Sequence, residues 1–131
     1  TIEVSSGKFL HERLLKNIDN GTALINEKTN ENITYRELFE VVRQLAISFR
    51  NYGLTAENII GVCSENSIYH LIPVFAGIFE GIPVVPINPT YTDYELTHAF
   101  NLVPPNIIFC SKNNARRIYE LKTKFASIKE I

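Results

Sequence analysis

The chain has 131 residues, 45% hydrophobic and 21% charged, with a formal net charge of -1. That length holds one core and is too short for two ordinary domains. The near-neutral balance excludes a global field that would draw the chain to nucleic acid or an anionic membrane, so neither is expected as a partner.

In chain order, residues 9–18 carry Phe9, Leu10, Leu14, Leu15 and Ile18 near helical spacing, which predicts an amphipathic helix on the outside of the domain. Residues 22–26 and 32–34 read as short extended runs, and the polar link 27–31 suits a hairpin loop. Thr34 and Glu37 form a capping box, in which hydroxyl and carboxylate each satisfy an orphan amide of a helix's first turn. The helix begun there places Leu38, Val41, Val42, Leu45, Phe49 and Tyr52 on one apolar face, and Gly53 suits the left-handed position that stops it.

Residues 58–63 predict a short apolar strand, and Ser64-Glu65-Asn66 offers cap chemistry for a helix over 67–80. That helix is apolar almost all round (Ile68, Leu71, Ile72, Val74, Phe75, Ile78, Phe79), so it is expected to be sandwiched, with Pro73 bending or weakening it near Tyr69. Gly81 ends it, and residues 83–87 read as a strand buried on both faces. Thr92 and Glu95 form a second capping box that opens a helix to about residue 102, closed by Pro104-Pro105. A strand over 106–110 and a helix with Ala115, Ile118, Leu121 and Phe125 on one face complete the pattern. Strands alternating with helices from residue 58 onward predict an α/β fold, with a mainly parallel sheet built from βαβ crossovers.

Few residues invite chemistry on their own. The six glycines are scattered and form no phosphate loop. His70, on the apolar helix, reads as a boundary or satisfied core histidine, and His11 and His98 lack Cys or carboxylate partners at metal spacing. Lys112, Arg116, Arg117, Lys122 and Lys124 read as a solvated helix face, with a phosphate contact as the lesser alternative. Tyr91 and Tyr94 are expected to pack in the core or on the surface, with the lining of a pocket as the alternative. Cys63 and Cys110 each end an apolar run and read as buried reduced thiols rather than a bridge or reactive pair. The reading assigns no catalytic, cofactor-binding or metal residue.

No apolar run reaches membrane-spanning length and the N-terminus lacks the order of a signal peptide, so a soluble intracellular protein is expected. In such a setting the glycosylation acceptors at Asn20 and Asn32 carry no meaning. A chain that opens without an initiator Met and stops at Lys129-Glu130-Ile131 without a turn or cap is expected to be part of a longer one.

Two stretches carry a family resemblance: Ile33-Thr34-Tyr35-Arg36-Glu37-Leu38, and Ile78-Phe79-Glu80-Gly81-Ile82-Pro83-Val84-Val85-Pro86-Ile87-Asn88-Pro89. In this order they resemble the first two signature blocks of the adenylate-forming (AMP-binding) superfamily. The first block alone is only a good helix start. The second is more specific, because Gly81, Pro83, Pro86 and Pro89 fix the backbone at four places around one strand. Val62-Cys63-Ser64-Glu65-Asn66-Ser67, Ile72-Pro73-Val74, Tyr91, Glu95-Leu96 and Ile107-Ile108-Phe109-Cys110-Ser111-Lys112 look most like beetle luciferases and insect acyl-CoA synthetases, with plant coumarate ligases next.

The resemblance implies an incomplete piece of the large N-terminal domain of that fold: a helical lead-in over 1–20 and a first α/β layer over 21–131, ending before the phosphate loop. It implies a parent enzyme that uses ATP, Mg2+ and CoA to activate a carboxylic acid through an acyl-adenylate. The remainder of the parent chain would be this segment's partner, and the segment alone is expected to be inactive. The competing expectation is a stand-alone non-catalytic α/β module or truncated paralogue that dimerises or swaps through an open sheet edge. A receiver-like domain of similar length is excluded on residues, since Cys63 and Cys110 stand where acidic strand ends would be needed.

Overall fold

The computed structural model describes residues 6–25, 30–65 and 67–131. Of the expected hairpin link at 27–31, residues 27–29 lie outside the described residues, as do Asn26 and Asn66. The elements are α1 (Ser6–Lys16), β1 (Thr22–Ile25), β2 (Asn32–Thr34), α2 (Tyr35–Tyr52), β3 (Ile60–Cys63), α3 (Leu71–Glu80), β4 (Val84–Pro86), α4 (Asp93–Leu102), β5 (Ile107–Cys110) and α5 (Lys112–Lys122). β1 and β2 pair antiparallel, and β3 pairs in parallel with β4 on one side and β5 on the other.

Local chemistry sets most of the boundaries. The Glu37 amide donates to the Thr34 hydroxyl at 3.1 Å, so α2 starts at the expected cap. The reciprocal half of that box is not made: the Glu37 carboxylate accepts from the Thr34 hydroxyl instead, at 2.9 Å. At α4 both halves are present, with Thr92 N–H donating to Glu95 and Glu95 N–H to the Thr92 hydroxyl. Gly53 and Gly81 end α2 and α3 in the left-handed conformation, at φ 96° and 68°, where a Cβ is disfavoured.

The expected single helix over 67–80 divides in two. Ile68–His70 forms a 3-10 turn capped by Ser67, and α3 proper begins at Leu71. Pro73 therefore falls in the first turn of α3, where its missing N–H has no intrahelical acceptor to lose, and it does not weaken the ladder as expected. Ser67 caps the turn, whereas the Ser64 hydroxyl donates to the Glu65 carbonyl.

β3 is the central strand and is buried at every position. On one face Ile60 and Val62 join a core built from α1, α2, α3 and the β1–β2 hairpin, and Phe49 meets Phe109 edge-on at 5.8 Å. On the other face Cys63, Ile87 and Ile108 pack with Leu96 and Phe100 of α4 and Ile118 and Leu121 of α5. Full burial of a side chain such as Phe100 contributes about 1.5–3 kcal/mol. β4 is an edge strand and only half-buried, not covered on both faces as its apolar run suggests. Pro86, whose backbone faces away from β3, offers no amide to a further strand, which suits an edge.

α2 buries Leu38, Phe39, Val42, Ala46 and Phe49, while Val41 and Tyr52 are exposed, so its apolar face is rotated from the one read in the sequence. The cause is α1, which packs on α2 and α3 and brings His11 against Phe39 and Phe79, at ring distances of 5.1 and 5.4 Å. α3 has no exposed residue and is sandwiched as expected. On α5 Ile118 and Leu121 are buried with Asn114, and Phe125 lies beyond the helix end, half-buried against Phe100 at 5.6 Å.

α1 approaches α3 closely at Gly7, where a Cβ would stand 2.6 Å from the Phe79 carbonyl oxygen, a contact real side chains do not make. Gly7→Ala is expected to lower stability by about 1–3 kcal/mol through overpacking, read from urea denaturation. A change within about 0.5 kcal/mol would mean that α1 does not seat on α3 in this way.

Candidate functional site

The strand order β4-β3-β5 has a direct consequence. After β3 the chain runs through α3, on one face, to β4; after β4 it runs through α4, on the other face, back past β3 to β5. The connections diverge between β3 and β5, and in open α/β sheets ligands sit outside the carboxyl ends of strands at such a point. A crevice of about 330 Å³ lies there, lined by apolar Val62, Pro73 and Phe109 and by polar Ser64, Glu65 and Ser111.

Glu65 is the charged group of this crevice. Asn114, buried near the start of α5, donates from Nδ2 to Glu65 Oε1 at 2.9 Å and lies 2.7 Å from the Ser111 hydroxyl. The Ser111 hydroxyl above all, then the backbone of Glu65 itself, and to a lesser degree Asn114 and Asn113 hold the Glu65 carboxyl below its usual range, against the opposing effect of burial. The carboxylate thus joins the end of β3 to the start of α5 and presents a negative charge at the mouth.

Other residues singled out in the sequence are placed as follows. His70 is half-buried and accepts from the Ser67 amide at 3.4 Å through Nδ1, a capping role. His11 sits in the aromatic cluster with Phe39 and Phe79, and His98 is exposed. Tyr91 does line a pocket, a small apolar one of about 210 Å³ beside Pro86, Ile87 and Phe100, whereas Tyr94 is 82% exposed. Of the cationic cluster, Arg116 pairs with Glu120 at 3.5 Å and Lys122 lies 6.0 Å from the Tyr119 ring centre. Arg117 departs from the solvated-face reading. It donates to the Pro89 carbonyl at 3.2 Å and to the Tyr91 carbonyl, tying α5 to the loop that follows β4.

Among the described residues none forms a cradle for nucleotide phosphates. The three glycines with positive φ end a turn and two helices, and the crevice between β3 and β5 carries a carboxylate that repels a phosphate. Among the described residues no group of three or more His, Cys, Asp or Glu is placed to hold a metal ion.

The profile of the AMP-binding enzyme family matches residues 12–130. The chain belongs to that family. Luciferin 4-monooxygenase of Photuris pensylvanica is 38% identical over 109 residues, 83% of this chain and 20% of that protein. A natural red-emitting luciferase from Phrixothrix hirtus superposes with a TM-score of 0.90 at 32% identity, over 96% of this chain and 30% of that one. The luciferase-like enzyme from the nonluminescent Zophobas morio mealworm gives 0.89 at 28% identity, over 98% of this chain and 30% of that one. The chain thus spans about a fifth of the curated relative, and its fold, an α/β unit with a parallel three-stranded sheet, matches part of the N-terminal domain of adenylate-forming enzymes. No helix among the described residues is long and apolar enough to cross a membrane.

Local spacing gives Ser64-Glu65-Asn66 the look of a cap for the following helix and does not disclose the crevice. Its signal was the pair of strands ending in Cys-Ser, at Cys63-Ser64 and Cys110-Ser111, which become neighbours only once the strand order is known. Since the folded pKa of Glu65 is depressed, its contribution to stability is present above the unfolded value, about 4.3, and is lost as pH falls through the folded one. The stability gap between the parent chain and Glu65→Gln is therefore expected to narrow between about pH 6 and about pH 3. A constant gap in urea titrations across that range would show that the carboxylate charge contributes nothing.

Proposed function

We propose that this chain is the opening segment of an ATP-dependent carboxylate ligase of the insect luciferase-like acyl-CoA synthetase kind. Residues 1–20 are a helical lead-in, and 21–131 are the first α/β layer of its large domain. The observation that carries the reading is the family match over residues 12–130 by a chain that amounts to a fifth of its curated relative's length. In this role the segment supplies scaffold: β3 anchors two cores, and Arg117 holds the loop after the second signature block. ATP with Mg2+ would activate a carboxylic acid as its adenylate and CoA would accept the acyl group, on groups supplied by the remainder of the chain. Such an enzyme works in the cytoplasm or the peroxisome.

A second reading, a non-catalytic module that self-associates, draws on one observation: β4 has no partner strand on its outer side among the described residues. An unpaired edge is a place where another chain can add a strand, against the hindrance of the amide that Pro86 lacks.

The test is ATP–pyrophosphate exchange with a panel of fatty and aromatic acids, run on the 131-residue chain and on the longest natural protein that contains it. Exchange by the longer protein and none by the 131 residues is the expected result. Exchange by the 131 residues alone would overturn the scaffold role, and no exchange by the longer protein with any acid would overturn the ligase reading. Light scattering on the 131-residue chain separates the second reading, which requires a concentration-dependent dimer.

A further inference from the structure

Cys63 and Cys110 are the last residues of β3 and β5, and the parallel register places them directly opposite each other. In-register residues on neighbouring parallel strands point to the same face, here the side covered by α4 and α5, where Cys63 is buried and Cys110 half-buried against the same cluster. Both are free thiols. Adjacent strands hold opposed Cα atoms about 4.8 Å apart, and their Cβ atoms keep much the same spacing. A disulfide prefers a Cβ separation of about 3.8 Å, so the sheet opposes a bridge.

It does not oppose an ion between the two sulfurs. With metal–sulfur bonds of about 2.3 Å, two sulfurs about 4.6 Å apart hold one ion on the line between them. The absence, among the described residues, of any cluster of three or more His, Cys, Asp or Glu leaves the pair without a third ligand. Two-coordinate dithiolate binding suits a soft monovalent cation and does not suit Zn2+, which takes four ligands. We propose that Cys63 and Cys110 form a two-thiolate site for a soft monovalent cation of the Cu(I) type.

Charge supports the assignment. Cu+ displaces two protons from two thiols and leaves a bis-thiolate complex of net charge −1. Arg117, on α5, is the cation that acts on Cys63, and Glu65 is the opposing anion on the loop after β3. Burial pushes both thiols up, and the Cys110 sulfur raises Cys63 further; binding of a cation to thiolates releases their protons. The crevice between β3 and β5 reaches Cys110, and Cys63 lies behind it in the core formed with α4 and α5. The site is independent of the ligase reading.

The experiment is anaerobic titration of the 131-residue chain with Cu(I) against a chromogenic Cu(I) chelator, with native mass spectrometry as the second readout. One ion per monomer is expected, with a gain in neutral mass of one copper less one proton, as a singly charged cation requires. Affinity should rise about 100-fold per pH unit below the thiol pKa values, two protons being released. Cys110→Ala and Cys63→Ala should each weaken binding by more than the 10–100-fold that outer-shell partners typically cost. Because Cys63 is buried and its variant can fail to fold, Cys110→Ala with unchanged circular dichroism is the deciding case. Equal affinity in that variant, a tenfold rather than hundredfold change per pH unit, or an ion shared between two chains would overturn the proposal.

Discussion

Everything in this molecule hangs on the parallel pairing of β3 with β4 on one side and β5 on the other. Four residues, Ile60-Gly61-Val62-Cys63, are buried at every position and send alternate side chains into two separate cores. Gly61 is part of that economy, since a Cβ there would meet the Ile87 side chain at 2.8 Å. A strand this short cannot hold itself together. Its stability comes from the helices on both faces, and in turn it fixes where those helices stand. The divergence of the chain between β3 and β5, and hence the crevice, follows from that one arrangement.

Around this strand, polar groups act as fasteners between elements distant in sequence. Asn106 accepts from the Ile59 amide at 2.8 Å and sets the start of β5 against the start of β3. Glu65 fastens the other end of β3 to α5. Arg117 draws α5 toward the Pro-rich loop after β4, and Arg50 on α2 holds Glu80 of α3 through two nitrogens, at 2.8 and 3.2 Å. The last contact is largely exposed on the Arg50 side and contributes little by charge alone. Its two-pronged geometry fixes the angle between the helices.

What the sequence made legible was local. Caps, left-handed glycine stops and proline breaks act within four or five residues, so Thr92 with Glu95, Gly53, Gly81 and Pro104-Pro105 each marked a true boundary. Errors arose where a distant element decides. The apolar run at Pro83 to Ile87 looked like a central strand because hydrophobicity does not encode position in a sheet, and β4 lies at the edge. The buried face of α2 differs from the one its spacing predicts because α1, some thirty residues earlier in sequence, packs His11 against Phe39. Glu65 lies 49 residues from Asn114, a separation at which no spacing rule operates. The family was legible earlier than the site, since signature blocks are local strings and a crevice between strand ends is not.

The order in which the elements appear along the chain has a consequence for biosynthesis. α3 is apolar on every side and has no exposed residue in the folded chain. α1 and α2, which cover it, are both N-terminal to it. With about 60 residues between the seats of α1 and α3 and translation at about 5–20 residues per second, α1 has left the ribosome for about 3–12 seconds when α3 emerges. The most aggregation-prone helix of the segment thus enters solution with its covers already made, so a nascent chain arrested at Gly81 holds every helix of its first core.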